Sequence, residues 1–308
     1  MMKLILKEKK HIIYLSILTL IIVGSIIFIL LINKNKYLQT ISPLTSSKNI
    51  DFDLTGDSKN DTIKLIKRDN TFDINIDYHN TNIFLSSKIK DNVLFNISNS
   101  WPIKIYLYDI SRDLRPEIIL QGTKNNKSMC YVFNFYEEDF YNLYSSDKNV
   151  FGILDSNNTK TPQCYSLLSS KGISSLNSFM LINNKVLDTT KDSKNIPSFN
   201  NVISFINLIE APYELDSLPN IFSSSITNNE LSVLWNLDKE NYSYYFQDGF
   251  FYDYEWDTSG NPISLKWRLT FERSRLKSSE TDKNELVLSL DCHLNDSNYN
   301  ITSIEKLK

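Results

Sequence analysis

The sequence of 308 residues predicts a mainly β protein held at a membrane: an N-terminal transmembrane helix, antiparallel units of four short strands, and a C-terminal β-rich domain of α+β character. Three observations carry this. Residues 12–32 form an almost unbroken apolar run. Beyond residue 50, short runs of Ile, Leu, Phe, Tyr and Val alternate with gaps rich in Ser and Asn, and aromatic residues make up 12% of the chain, which favours strands over long helices. Finally, an acidic nine-residue pattern recurs, each time ahead of an apolar strand.

The apolar run has the length of a membrane span, since roughly 21 residues at about 1.5 Å each cross a hydrocarbon core of about 30 Å. It exceeds a signal-peptide core and is followed by no small-residue cleavage site, so it reads as uncleaved. Lys3, Lys7, Lys9 and Lys10 precede it, and only Lys34 and Lys36 follow. That excess places the N-terminus inside, with 1–11 as a cytoplasmic tail, 12–32 as the span and 33–50 as a stalk. The expectation is a single-pass cell-membrane protein with its bulk extracytoplasmic.

The net charge is −3, of which the first forty residues hold +5 and the remainder −8. An acidic outer part without a basic stripe argues against nucleic acid as a partner. Cys130, Cys164 and Cys292 lie far apart without metal-type spacing and read as small buried hydrophobes, although one pair can still bridge.

Strand-like runs follow at 62–67, 72–78, 82–86, 93–97, 103–110, 117–121, 129–135 and 150–154, several with the alternation of Phe72, Ile74 and Ile76. These fall in a repeat region, 51–187. A polar loop then opens the C-terminal domain, 188–308, where Val202, Ile203, Phe205, Ile206 and Ile209 have helical spacing over 198–209 and Pro212 closes the helix. The remainder, 218–308, reads as strands, including a hairpin that joins 250–256 to 263–271 through the turn 257–262.

The repeated pattern is the most informative feature. Asp53, Thr55, Asp57 and Asp61 match Asp109, Ser111, Asp113 and Glu117, with a carboxylate at positions 1, 5 and 9 and a hydroxyl at position 3. A fainter copy spans 155–163 with Asp155 as its acid. The spacings suit units of four short strands. Oxygens at alternate loop positions can converge on a hard cation such as Ca²⁺, which takes six to eight of them. Asp and Asn also cap tight turns through their own backbone, and Arg112 and Arg115 can satisfy the second loop without metal. Ser58 and Leu114 stand where glycine would ease a sharp bend.

The two strong loops with their following strands resemble the D-x-[DN]-G-D-G-x-x-D unit of VCBS/FG-GAP repeats, the integrin-α-like blades of β-propellers. The resemblance covers about residues 50–187. It implies blade-like sheets forming part of a propeller, loops that hold Ca²⁺ through the eight residues just named, and a role in adhesion or as an interaction platform.

Other features carry less. The stretch 242–256 holds Tyr244, Tyr245, Phe246, Phe250, Phe251, Tyr252 and Tyr254, with Trp267 beyond the turn; such rings stack on sugars or fill a core. His11, His79 and His293 lie in no triad-like order, Glu137, Glu138 and Asp139 read as a solvated turn, and phosphate-binding glycine loops are absent from the sequence. The expectation is a non-catalytic surface protein that contacts protein or wall polymer. The rival is a hydrolase of wall glycan using Glu255 or Glu272.

Overall fold

A computed structural model describes residues 18–19, 22–25, 39–41, 49–154, 161–193, 195–213, 217–277 and 282–307. The expected tail 1–11 and most of the expected span 12–32 and stalk 33–50 lie outside the described residues. Among the described residues, no helix is long and apolar enough to cross a membrane. The chain divides into two compact units, Met1–Gln39 and Thr40–Lys308, and the β fold belongs to the second.

That fold is mainly β, as the alternation of apolar and polar residues requires. Three antiparallel four-stranded meanders follow one another. The first is β2 (Ile50–Phe52), β3 (Asp61–Arg68), β4 (Thr71–Tyr78) and β5 (Thr81–Phe84), with the two-residue strand β6 (Phe95–Asn96) also on β4. The second is β7 (Lys104–Tyr108), β8 (Glu117–Lys124), β9 (Lys127–Tyr136) and β10 (Asp139–Ser146), with β1 (Gln39–Ile41) at its edge. The third is β11 (Val150–Leu154), β12 (Gln163–Leu167), β13 (Asn177–Ile182) and β14 (Lys185–Asp188).

Each meander closes the same way. Its third and fourth strands meet at a two-residue turn with both residues at positive φ: His79 and Asn80, Glu137 and Glu138, Asn183 and Asn184. This is the hairpin turn whose twist matches that of the strands, and Asn tolerates it best. The acidic cluster at Glu137 is therefore a turn, as its sequence suggests. Neighbouring meanders are tied near these turns. Tyr78 Oη donates to the Glu138 carbonyl at 2.7 Å, and Asn134 Nδ2 to Asn184 Oδ1 at 3.0 Å.

The third meander does not stand alone. β11 pairs in parallel with β15 (Tyr242–Trp256), which continues antiparallel into β16 (Pro262–Arg275), β17 (Lys283–Asn295) and β18 (Asn298–Leu307). One eight-stranded sheet thus runs across residue 188, in the order β14-β13-β12-β11-β15-β16-β17-β18. The hairpin joining β15 to β16 turns at Asp257, whose Oδ1 accepts from the Ser259 and Asn261 amides. Gly152 on β11 is obligatory, because a Cβ there would lie 2.2 Å from the Phe251 ring.

The sheets stack in layers. Along β8, Ile118 and Leu120 face the first meander with Ile63, Ile74 and Phe133, while the residues between them face the large sheet. There Tyr106 stacks on Phe250 with ring centroids 3.9 Å apart. The far face of the large sheet, with Phe251, Trp267 and Leu269, is covered by α1 (Phe199–Glu210) through Val202, Phe205, Ile206 and Ile209. A second helix, α2 (Asn228–Trp235), lies in the region that reads as strands. Its apolar spacing is weak; the capping box of Thr227 and Glu230, each bonding the other's backbone, starts it.

Candidate functional site

The two acidic loops occupy equivalent places, each joining the first strand of a meander to the second. Their hydrogen bonds match at positions 5 and 9 and differ by one donor at position 1. At position 1, Asp53 accepts from the amides of Gly56 and Ser58 at 2.6 and 2.9 Å, and Asp109 from those of Asp113 and Leu114, both at 3.1 Å. Asp57 and Asp113 at position 5 accept from the amides of Lys59 and Arg115. At position 9, Asp61 accepts from Leu54 and Thr55, and Glu117 from Ile110 and Ser111. Positions 4 and 6 have positive φ in both: Gly56 (79°) and Ser58 (69°), Arg112 (62°) and Leu114 (71°).

Carboxylates and hydroxyls thus converge on a common backbone, but each loop brings a basic side chain to position 5, a histidine in the first and a permanently charged arginine in the second. His79, in the hairpin turn of the first meander, lies 2.6 Å from Asp57 Oδ2, and Arg115 lies 3.0 Å from Asp113 Oδ2. The His79 hydrogen bond holds Asp57 below the usual carboxylate range, and in return raises His79. Burial pushes Asp61 and Asp109 up and takes Glu117 to about 7. The position-3 oxygens, Thr55 Oγ1 and Ser111 Oγ, are buried beside the position-9 carboxylates without an aligned hydrogen bond. Among the described residues, no three His, Cys, Asp or Glu side chains form an ion-holding group. Asp155 and residues 156–160 of the third loop lie outside the described residues.

The aromatic stretch divides between core and surface. Tyr244, Phe250 and Phe251 are buried, and Phe251 stacks on Trp267 at 4.4 Å, whereas Tyr245 is 59% exposed. Glu255 and Glu272 do not face each other. Glu255 pairs across to Ser264 and Glu272 lies eight residues further along β16, about 26 Å at about 3.3 Å per residue. A glycosidase pair needs about 5 to 9.5 Å. Ser264 Oγ lies 2.6 Å from Glu255 Oε2 and 2.7 Å from His293 Nδ1, so the serine, not the histidine, is the bridge, and it is buried. That is not the order of a nucleophilic triad. All three cysteines are buried and free, and burial raises their thiols, Cys292 to about 12.

A buried charge cluster that the sequence does not announce joins the second meander to the large sheet. Lys104 Nζ on β7 lies 3.0 Å from Asp248 Oδ2 on β15 and 3.1 Å from Glu285 Oε1 on β17. Asp248 also accepts from Trp101 Nε1, which locks the indole in place. Beside this cluster opens a cleft of about 330 Å³, lined by Trp101, Asn126, Tyr245, Gln247, Glu272 and Lys283 among others. Glu272 is occupied by Lys283 Nζ at 3.0 Å and by the hydroxyls of Ser100 and Ser274. Burial pushes Glu272 up, but these partners outweigh it and hold the group ionised; its cross-strand neighbour Glu285 is pushed up by burial.

No protein-family model, curated protein or solved structure matches the chain. Tyr245 and Glu272 stand out in the sequence, as a stacking ring and a hydrolase carboxylate, but Trp101, Asn126, Gln247 and Lys283 escape it because the cleft is assembled from separate elements. The one local signal, a β-bulge at Gln247, is visible only once β15 is paired with β16.

Proposed function

We propose that this chain is a non-catalytic, single-pass protein of the cell membrane. Its extracytoplasmic part is a platform of VCBS/FG-GAP-like, partial-propeller blades for contact with protein or cell-wall polymer. The observation that supports it best is the equivalence of the two acidic loops. The same side-chain bonds at positions 5 and 9 and the same positive-φ positions recur at the same point of successive four-stranded meanders, as a repeat requires. Meanders stacked face to face and tied near equivalent turns fit blades.

In this reading Ca²⁺ stiffens the loops, through Asp53, Thr55, Asp57 and Asp61, and through Asp109, Ser111, Asp113 and Glu117. The buried, unaligned hydroxyls of Thr55 and Ser111 favour it. The first loop is the better site, because Arg115 already neutralises Asp113 in the second.

A surface glycan hydrolase is the second reading. One observation favours it: Glu272 and Glu285 are direct partners across β16 and β17, with environments that push their pKa values apart. Full-length protein in a sugar-free detergent, incubated with purified cell wall, separates the two. Co-sedimentation without new reducing ends supports the platform, and reducing ends that disappear in Glu272→Gln support the hydrolase. Protease added to intact cells should degrade the part beyond residue 40; full protection would overturn the topology.

A further inference from the structure

We infer that the cleft beside Lys104 is a binding subsite for a neutral, hydroxyl-bearing sugar unit of a glycan, with Gln247 as its polar anchor and Trp101 and Tyr245 as its flat walls. This rests on the platform reading and names the partner it would hold.

The argument begins with Gln247. The register of β15 against β16 shifts between Phe246 and Asp248, leaving Gln247 as the extra residue of a bulge. Bulges re-aim side chains, and here the consequence is a division of labour. Asp248 turns to the buried Lys104, while Gln247 lines the cleft. Gln247 is only 5% exposed, and its Oε1 is buried without a hydrogen-bond partner. A buried amide oxygen left unpaired costs free energy, and a donor in the cleft reaches it once the Gln247 amide turns toward the opening. The complement is an O–H or N–H group on a ligand.

The rest of the cleft narrows the chemistry. Its charged pair, Glu272 and Lys283, is internally neutralised at 3.0 Å, so no net charge is left to attract an ion. Trp101 is fixed by its bond to Asp248, and Tyr245 presents its ring to solvent. One fixed indole and one exposed phenol ring beside amide and hydroxyl groups suit a pyranose, which has an apolar C–H face and a rim of hydroxyls. A volume of about 330 Å³ lies at the low end of small-ligand sites, enough for a short stretch of glycan in an open cleft.

The test uses the full chain in a sugar-free detergent and two probes, the N-acetylglucosamine tetramer and the glucose tetramer, titrated calorimetrically. At least one should bind. Gln247→Leu should weaken it about tenfold, the loss of one buried hydrogen bond. Tyr245→Ala, at a side chain mostly outside the core, should also weaken it, and it decides the matter if Gln247→Leu does not fold. No heat from either probe at about 10 mM, or binding unchanged in both folded variants, overturns the proposal. Wall co-sedimentation that survives when neither probe binds discards the cleft and leaves the platform reading; loss of both discards both.

Discussion

Lys104 Nζ and Asp248 Oδ2 lie 3.0 Å apart with the lysine wholly shielded from solvent, so one buried lysine, also 3.1 Å from Glu285 Oε1, joins the second meander to the large sheet. Removing one partner of such a pair leaves the others buried and unpaired. Lys104→Met should therefore cost about 3–5 kcal/mol in urea unfolding. Adding Asp248→Asn and Glu285→Gln should return part of it. A Lys104→Met chain as stable as the parent would show that the cluster is not a tie.

Leu114 holds φ at 71° with its side chain 73% exposed, so it carries backbone strain without packing in return. Leu114→Gly should stabilise the chain by about 0.5–1 kcal/mol. Gly56→Ala should destabilise it, because φ is 79° and the new Cβ would sit 2.8 Å from Arg115 Cγ. A destabilised Leu114→Gly or a stabilised Gly56→Ala in thermal melts would refute the shared loop backbone.

Calcium should raise the melting temperature of the full-length protein. A ligand bound only to the folded state stabilises by RT ln(1 + [L]/Kd), which at 10 mM and a Kd near 10⁻⁴ M is about 2.7 kcal/mol, a shift of several degrees. Asp57→Ala should abolish most of the gain and Asp155→Ala should not. Identical melting in calcium and chelator would make both loops hydrogen-bonded turns.

In chelator, stability should fall as pH rises from about 5 to 8. Burial raises the folded-state pKa of Asp253 from 3.8 to about 7 and of Glu117 from 4.5 to about 7. Each therefore contributes most below its unfolded value and loses that contribution as pH climbs through about 7, on the order of 1–3 kcal/mol apiece. His79, raised by Asp57, acts in the same direction. Asp253→Asn should flatten the slope of melting temperature against pH; an unchanged slope would clear Asp253 of the effect.

The strands were legible where one face is apolar or a short run is apolar throughout: 62–67 and 150–154 in the sequence are Asp61–Arg68, with alternating burial, and Val150–Leu154, buried on both faces. β10 escaped because its tyrosines and polar residues alternate without a clear apolar face, only Phe140 being fully buried. Helix α2 was signalled only by Thr227 and Glu230. The loops could be read because their chemistry is local, six carboxylates and two hydroxyls at fixed spacing. Lys104 could not, since a lysine between Ile103 and Ile105 looks like an outward-pointing strand residue, and only the position of β15 buries it.

The parallel seam between β11 and β15 also governs when the molecule can be finished. During synthesis β11 to β14 can pair among themselves once residue 188 has emerged, yet the other edge of β11 waits about 90 residues for its neighbour, and loop closure of that length is slow. Until then it is a bare strand edge beside the uncovered apolar face of Val150, Leu154 and Leu167. A chain cut or stopped between 188 and 242 keeps that edge permanently. Such a fragment is a nucleus for intermolecular pairing, so cellular quality control would register a late truncation before any loss of binding did.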